Sequence, residues 1–507
     1  MSGDRGLGRR VIDAAIRGEV SDRDGLQALK MRLCRELGLA EVPPNSEILS
    51  QARGGELDVM EPLLVKKPVR TASGVAVVAV MASPHPCPHG KCMYCPGGVD
   101  SPQSYTGKEP AARRAERNGF DPYLQASDRI RQLGEIGHKT DKIDLVVMGG
   151  TFTSRSAEYQ EWFVRRCLDA MNGEDSATLE EAQSVNEAAS RRCVGLTVET
   201  RPDAFRGEAI DAAMALGATR VELGVQILDD AILEAAGRGH GVGEVAASTR
   251  ECKERGLKVC YHIMPGLPGS SPEKDLECFS RVFGDEDFRP DMLKIYPALV
   301  VEGTGLYDMW ADGRYVPYDV ETAVRLLSDM KAAVPEYARI QRIQRDIPAP
   351  QIAAGILKSN LRQLVQERMS SEGRGCRCIR CREVGRTGAD REGGVEMKTA
   401  EYRASGGTEK FISLERGDSI AGYARLRIDS RATVRELKVF GKTAPIGEDG
   451  EWQHRGFGRA LMAEAERAAR AGGMDRLRVT SGIGARRYYE AIGYEREGAY
   501  MVKSLDP

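Results

Sequence analysis

No run in this 507-residue chain approaches the roughly 18 uninterrupted apolar residues of a membrane-crossing helix, and its start, Met1-Ser2-Gly3-Asp4-Arg5, has no apolar signal core. A soluble, cytoplasmic protein with no membrane partner is therefore expected. An excess of either charge is missing too: Lys+Arg 73 against Asp+Glu 75 leaves a formal net charge of -2. That excludes a global basic field and confines any nucleic-acid contact to local patches. The short, cysteine-dense frame of a disulfide scaffold is also absent. The 12 cysteines are spread along a long chain, and six of them crowd into two triplets, which points to metal binding in a reducing compartment. Length excludes one ordinary domain and predicts two to four folding units.

Residues 1–70 read as a helical N-terminal segment. Val11-Ile12-Asp13-Ala14-Ala15-Ile16 and then Leu26 through Leu37 place apolar residues at three- and four-residue steps, and Pro43-Pro44-Asn45 breaks them. The segment is either a packed appendage or a substrate-binding arm; Lys66, Lys67 and Arg70 at its end suit the arm. From 71 to 300 the order strand, polar tip, helix repeats, with strands expected at Val75 to Val80, Asp144 to Met148, Val194 to Val198, Arg220 to Gly224, Lys258 to Ile263 and Met292 to Tyr296. Six parallel strands of this kind curl into an α/β partial (αβ)6 barrel, with reactive groups at the carboxyl ends of the strands. Residues 301–392 form a connector carrying Arg339, Arg342, Arg345, Lys358 and Arg362 ahead of the second cysteine triplet. Residues 393–507 turn to antiparallel-looking strands and a helix from about Gly456 to Ala471, a separate C-terminal α+β domain.

Cys87-x4-Cys92-x2-Cys95 lies in a Gly/Pro-bearing loop after the first strand. Three thiolates hold three corners of a four-iron cluster and leave one iron open. A zinc site would need a fourth ligand, for which His85 or His89 is available. The open iron suits the amino and carboxylate groups of S-adenosylmethionine, and Gly149-Gly150-Thr151 after the second strand is where a bare backbone could approach that ligand. Arg201 and Gln226, after the third and fourth strands, are further candidate contacts. Together these features resemble the radical S-adenosylmethionine superfamily, with four residues rather than the usual three between the first two cysteines. Further on, Gln453-His454-Arg455-Gly456-Phe457-Gly458-Arg459 opens a helix after the strand Val434-Arg435-Glu436-Leu437-Lys438-Val439. Backbone N–H groups at such a start cradle a pyrophosphate. The pattern resembles the GNAT acetyltransferase fold, in which Tyr488 or Tyr489 would point a phenol at the thioester sulfur of coenzyme A; two core tyrosines are the plain alternative.

Both halves in one chain resemble, over nearly the full length, the catalytic subunit of Elongator and its stand-alone archaeal and bacterial relatives. The runs that carry the likeness include Tyr94-Cys95-Pro96-Gly97-Gly98, Gln103-Ser104-Tyr105-Thr106-Gly107, Met148-Gly149-Gly150-Thr151-Phe152, Glu199-Thr200-Arg201-Pro202-Asp203, Gln344-Arg345-Asp346-Ile347-Pro348 and Arg435-Glu436-Leu437. The family implies an acyltransferase that modifies tRNA at the wobble uridine, position 34 of the anticodon. In its scheme a deoxyadenosyl radical takes hydrogen from the acetyl methyl of acetyl-CoA, the carbon radical adds to C5 of uridine, and thioester hydrolysis leaves 5-carboxymethyluridine. By the same resemblance Cys87, Cys92 and Cys95 are the 4Fe-4S ligands. Lys142, Glu436, Leu437, Lys438, Val439, Phe457, Gly458, Arg459 and Tyr489 contact acetyl-CoA, and Cys376, Cys378 and Cys381 bind zinc. Lys142, with Tyr488 and Tyr489, would then belong to the catalytic machinery and tie the two halves into one cleft.

For tRNA the candidates are Lys66, Lys67, Arg70, Arg113, Arg114 and the connector arginines, each singly more often a solvated charge than a contact. Two other functions compete with uridine modification: a histone or protein lysine acetyltransferase with a structural Fe-S domain, and a tRNA-binding module whose cluster is not catalytic. The oligomeric state is left between monomer and homo-oligomer.

Overall fold

The computed structural model describes all residues except 1, 40, 41, 44, 50, 66–70, 72, 99, 388–393, 442–455, 506 and 507. Lys66, Lys67, Arg70 and the Gln453-His454-Arg455 start of the glycine-rich run lie outside the described residues.

The N-terminal helices Ser2–Ile16, Arg23–Glu36, Asn45–Leu49 and Glu56–Leu64 close around a small core of their own that includes Leu7, Val11, Ile12, Leu26, Leu33 and Met60. Asp22 starts the second of them by accepting from Gly25 N at 2.7 Å, satisfying one of the amide donors a helix start leaves open.

The next layer is a seven-stranded parallel sheet whose spatial order follows the chain: β1 (Ala76–Met81), β2 (Lys142–Met148), β3 (Arg192–Thr200), β4 (Arg220–Gln226), β5 (Lys258–Ile263), β6 (Met292–Ile295) and β7 (Arg339–Arg342). It curves as a partial barrel, one strand longer than the sequence pattern predicts. The added β7 falls in the connector. Its Arg-Ile-Gln-Arg is short and polar, so no apolar run announces it, and pairing with β6 makes the strand. Helices such as Pro122–Glu135, Ala157–Asn172, Val242–Glu254 and Pro272–Gly284 lie between successive strands. The outward strand positions are apolar and buried, among them Ile143, Leu145, Val147, Val221, Leu223, Val259, Tyr261, Leu293 and Ile340. The alternate positions turn into the barrel and are largely polar, which a core strand tolerates only when those groups find partners or line a cavity.

The C-terminal sheet has the order β13-β14-β12-β11-β10-β9-β8, where β8 is Glu396–Ala404, β9 Gly407–Arg416, β10 Ser419–Ile428, β11 Ala432–Val439, β12 Arg476–Thr480, β13 Glu495–Glu497 and β14 Tyr500–Ser504. All its pairs are antiparallel except β11 with β12. The helix Phe457–Ala471 covers one face through Leu461, Met462, Ala465 and Ala469. The other face docks under the amino ends of the barrel strands. Arg435 donates to both oxygens of Asp291, at 2.6 and 2.7 Å, and to the Leu257 carbonyl at 3.0 Å, both just ahead of a barrel strand; Arg486 reaches Glu187 at 2.8 Å. A β-bulge makes this possible: Arg425 pairs with Glu436 but Leu426 with Val434, so Arg435 is the extra residue and points toward the barrel like its neighbour. Among the described residues no helix is long and apolar enough to cross a membrane.

Candidate active site

A cavity of about 1050 Å³ fills the barrel lumen. At its upper end, past the strand carboxyl ends, it is lined by Cys87, Cys92, Cys95, Gly150, Thr151, Arg201 and Gln226, and at its lower end by Tyr423, Glu436 and Lys438 of the C-terminal sheet. One space thus reaches both constellations.

The cysteine loop leaves β1 through Ala82, whose N–H still donates to Met148 O at 2.9 Å, and is pinned to the helix end after β4 by Met93 N donating to Ala236 O at 3.0 Å. Each sulfur has a polar neighbour. Thr151 Oγ1 lies 3.4 Å from Cys87, His89 Nε2 3.1 Å and Arg238 Nη1 3.3 Å from Cys92, and Ser104 N donates to Cys95 at 3.1 Å. Hydrogen bonds of this kind tune a cluster's potential. The spacing of the sulfurs separates the two triplets. A tetrahedral zinc with Zn–S near 2.3 Å sets its thiolates about 3.8 Å apart. The sulfurs of Cys376, Cys378 and Cys381 all lie within 4.8 Å of one another, whereas Cys87, Cys92 and Cys95 are not among the described groups drawn that close. The second triplet is therefore drawn to the spacing a single ion needs, and the first is more open. No fourth Cys, His, Asp or Glu joins the second group among the described residues.

The surroundings of the first triplet also fit S-adenosylmethionine. Arg201 is buried and holds Asp203 through Nε and Nη2 at 3.0 and 2.9 Å, yet its Nη1 is buried without a partner, as is the Tyr94 hydroxyl. Gly149 and Gly150 adopt φ of +123° and +86°, which a side chain would strain, and Gln226 is held at φ +73° at the end of β4 on the same lumen.

Between the two ends stands a network that the sequence reading missed. Lys294 bonds Glu222 and lies 3.5 Å from Glu199; His262 Nε2 is 2.9 Å from Glu222, and Tyr105 donates to Glu199 at 2.7 Å. The signal was present as charged residues at alternate positions in otherwise apolar strands, Arg220-x-Glu222 on β4, His262 on β5 and Lys294 on β6.

At the lower end β11 pairs with β12 only over Ala432 to Val434; from Arg435 onward the two strands part and leave a main-chain edge on Glu436 to Val439. Glu436 and Lys438 line the lumen, while Leu437 and Val439 pack against the apolar face under the helix. Burial would push the Glu436 carboxyl up, but Lys258, Arg425 and Lys438 bring its pKa down to about 2. Gly456, at φ +79°, turns into the helix that Phe457, Gly458 and Arg459 begin. A Cβ on Gly458 would sit 2.7 Å from the Tyr488 hydroxyl, so glycine there lets the phenol approach the helix start. Tyr488 is 37% exposed, whereas Tyr489 is buried at 5% in the apolar core against Tyr494. Lys142, where burial lowers the ammonium pKa, opens β2 and so lies about 20 Å of strand below Gly149, at the amino rim of the barrel near the C-terminal sheet rather than at the rim of the cysteine loop.

The basic candidates divide. Arg113 lines a second furrow of about 770 Å³ with Lys108, Arg117 and Arg129, and the furrow shares Pro110, Arg114, Arg129, Asp346 and Pro348 with the lumen. Arg114 is turned inward and donates to Ala79 O at 2.7 Å. Arg339 pairs with Glu383 at 2.8 Å, Arg342 with Asp346, Arg345 donates to Ser104 O, and Arg362 donates to the Ile340 and Gln341 carbonyls; Lys358 is exposed.

Comparison with known families matches residues 84–279 to the radical SAM superfamily, 290–371 to the radical SAM C-terminal domain, 8–72 to the ELP3 N-terminal domain and 394–504 to the acetyltransferase (GNAT) domain. The protein is thus a radical S-adenosylmethionine enzyme joined to a GNAT acetyltransferase, a combination that implies an Fe-S cluster, S-adenosylmethionine and acetyl-CoA. It is 49% identical to a Methanocaldococcus jannaschii protein named tRNA uridine(34) acetyltransferase, over 98% of this chain and 97% of that one. It is 41% identical to human Elongator complex protein 3, over 98% and 96%. The solved archaeal Methanocaldococcus infernus Elp3 lacking residues 1–46 superposes with a TM-score of 0.76 at 47% identity, covering 86% of this chain and all of that one. The chain belongs to the family of tRNA uridine(34) acetyltransferases and Elongator complex protein 3.

Proposed function

We propose that this enzyme builds a carboxymethyl group onto C5 of the tRNA wobble uridine with acetyl-CoA as carbon donor. The observation that carries this reading is the single lumen joining the cysteine triplet to Glu436 and Lys438. When bound at Cys87, Cys92 and Cys95, the cluster and S-adenosylmethionine supply a deoxyadenosyl radical. Arg201 and the Gly149–Thr151 turn hold the sulfonium ligand at the upper rim. The open edge of β11 takes the pantetheine, the start of the helix Phe457–Ala471 takes the pyrophosphate, and Tyr488 faces the thioester from that side. Lys142 anchors the coenzyme from the barrel. The furrow of Lys108, Arg113, Arg117 and Arg129 takes tRNA phosphates and leads the flipped base to the lumen. A lysine acetyltransferase would need Glu436 as base; with a pKa near 2 and Arg425 at 3.0 Å it is a poor one.

Incubating reconstituted enzyme with S-adenosylmethionine, a reductant, methyl-deuterated acetyl-CoA and tRNA is expected to put deuterium into deoxyadenosine and a carboxymethyl mass on uridine. Acetylation of a histone tail with unmodified tRNA would instead favour the lysine acetyltransferase. Cys92→Ala is expected to abolish deoxyadenosine formation while acetyl-CoA still binds, measured by calorimetry; loss of both would make the triplet merely structural.

Zinc at Cys376, Cys378 and Cys381 completes the reading, with an external fourth ligand. Metal analysis is expected to find one zinc that Cys376→Ala weakens or loses, and full retention in that variant would contradict the site.

A further inference from the structure

His262 projects from β5 into the middle of the lumen, between the cysteine triplet and the coenzyme strand. Its Nε2 lies 2.9 Å from Glu222 Oε2. Glu222 is 1% exposed and takes the Lys294 ammonium on the same oxygen, with Arg220 3.8 Å from the other. Burial alone would raise the Glu222 pKa, but Lys294, His262 and Arg220 hold it well below the usual carboxylate range. An ionised carboxylate only accepts, so in the neutral ring Nε2 carries the proton and the lone pair is left on Nδ1. Among the described residues nothing bonds Nδ1. The ring is held edge-on to Tyr296, with centroids 5.6 Å apart. A carboxylate that fixes one nitrogen while the other faces a cavity is the arrangement of a general base.

The same cluster could be read as a cation site, since ligand atoms of Glu199, Glu222 and His262 lie within 4.8 Å of one another. Lys294 argues against that: its ammonium already serves both carboxylates, and Tyr105 donates to the outer oxygen of Glu199. The positive charge the carboxylates need is built in, and the imidazole is the member left to react.

We propose that His262, oriented by Glu222, is the base that hydrolyses the acyl-CoA thioester after its methylene carbon has been joined to uridine. This rests on the reading that acyl group and nucleoside meet in the lumen. Nδ1 takes a proton from water as the oxygen bonds to the thioester carbonyl carbon. The C–S bond then breaks, and the imidazolium returns that proton to the departing coenzyme A thiolate. The new carboxylic acid releases its proton to solvent. No electron is gained or lost, so hydrolysis needs no further redox partner. Glu222 acts as a positioning residue, setting the tautomer.

Reconstituted wild-type enzyme and His262→Gln and His262→Asn variants would be compared with S-adenosylmethionine, reductant, acetyl-CoA and tRNA, the nucleosides being separated by mass. In the variants carboxymethyluridine is expected to fall on the order of 10²-fold, deoxyadenosine still to form, and uridine bearing the intact coenzyme A thioester to accumulate. Product at the wild-type rate, or loss of product without that adduct in both variants, would overturn the proposal. Failure of the wild-type enzyme to modify uridine would instead overturn the function on which it rests. A second measurement needs no turnover: nitrogen-15 spectra of the 6 histidines, with His262 assigned by its loss in His262→Gln. Protonated Nε2 and bare Nδ1 are expected in the neutral ring, and a protonated Nδ1 in the neutral ring would refute the base.

Discussion

Asp291→Ala is expected to destabilise the protein by about 3–5 kcal/mol, because it removes one partner of a buried ion cluster and leaves the others charged. Asp291 is fully buried. It accepts from Arg435 at 2.6 and 2.7 Å and from Val259 N at 2.9 Å, with Arg425 3.5 Å away. Arg435 also bonds Glu409, which pairs with Arg427 and Lys253. Barrel and C-terminal sheet thus share one charge cluster at their interface. Burial raises the Asp291 pKa, but Arg435, Lys253 and Arg425 together outweigh it and hold it below the usual carboxylate range. The unfolded chain therefore takes up the proton first, so the contribution is complete above about pH 4 and fades only in stronger acid. The variant should show an earlier first thermal transition at neutral pH, and should transfer less deuterium from acetyl-CoA to deoxyadenosine than its S-adenosylmethionine cleavage would allow. A first transition at the wild-type temperature would show that this cluster does not hold the domains together.

That interface marks where sequence reading stopped. Residues 435 and 291 are 144 apart, and no local pattern links them; only the folded sheet brings the guanidinium to the carboxylate. The strands up to β6 were legible because β-branched runs such as Val77-Val78 and Val146-Val147 declare themselves between turn residues. The cysteine triplet, the Gly149-Gly150 turn and the Gly456 helix start were legible for the same reason: local chemistry is written in adjacent residues. Charges inside the barrel were not, since Glu222, His262 and Lys294 each sit alone in a strand and become a network only when three strands align them. Arg114 shows the converse error. It reads as a surface cation, but its helix turns it onto the Ala79 carbonyl. Lys142 was placed by the sequence just before the second strand, and the structure has it open β2 at the amino rim, a strand's length from the cysteine loop.

Blocking the lumen tests how the acyl group travels. Val146 faces inward from the middle of β2 and lines the cavity. Val146→Trp adds a bulky ring at that height, at a packing cost of about 1–3 kcal/mol, without touching the cysteine loop, the β11 edge or the helix start at Gly456. If the acyl arm rises through the barrel, the methyl can no longer approach the upper rim, and displacements of even about 1 Å at a reacting centre cost on the order of 10²-fold. Deuterium transfer from methyl-deuterated acetyl-CoA into deoxyadenosine should therefore drop by at least that factor. With the coenzyme placed as proposed at the β11 edge and the helix start, acetyl-CoA affinity should hold, and S-adenosylmethionine should still be cleaved without coupling to the acetyl methyl. Undiminished deuterium transfer would mean that the acyl group reaches the radical around the barrel wall, and would break the link between the single cavity and the order of the reaction. A loss of acetyl-CoA binding would place the coenzyme itself, rather than its acyl end, inside the lumen. The three readouts thus discriminate between a conduit, an outer route and a deeper coenzyme site using one substitution.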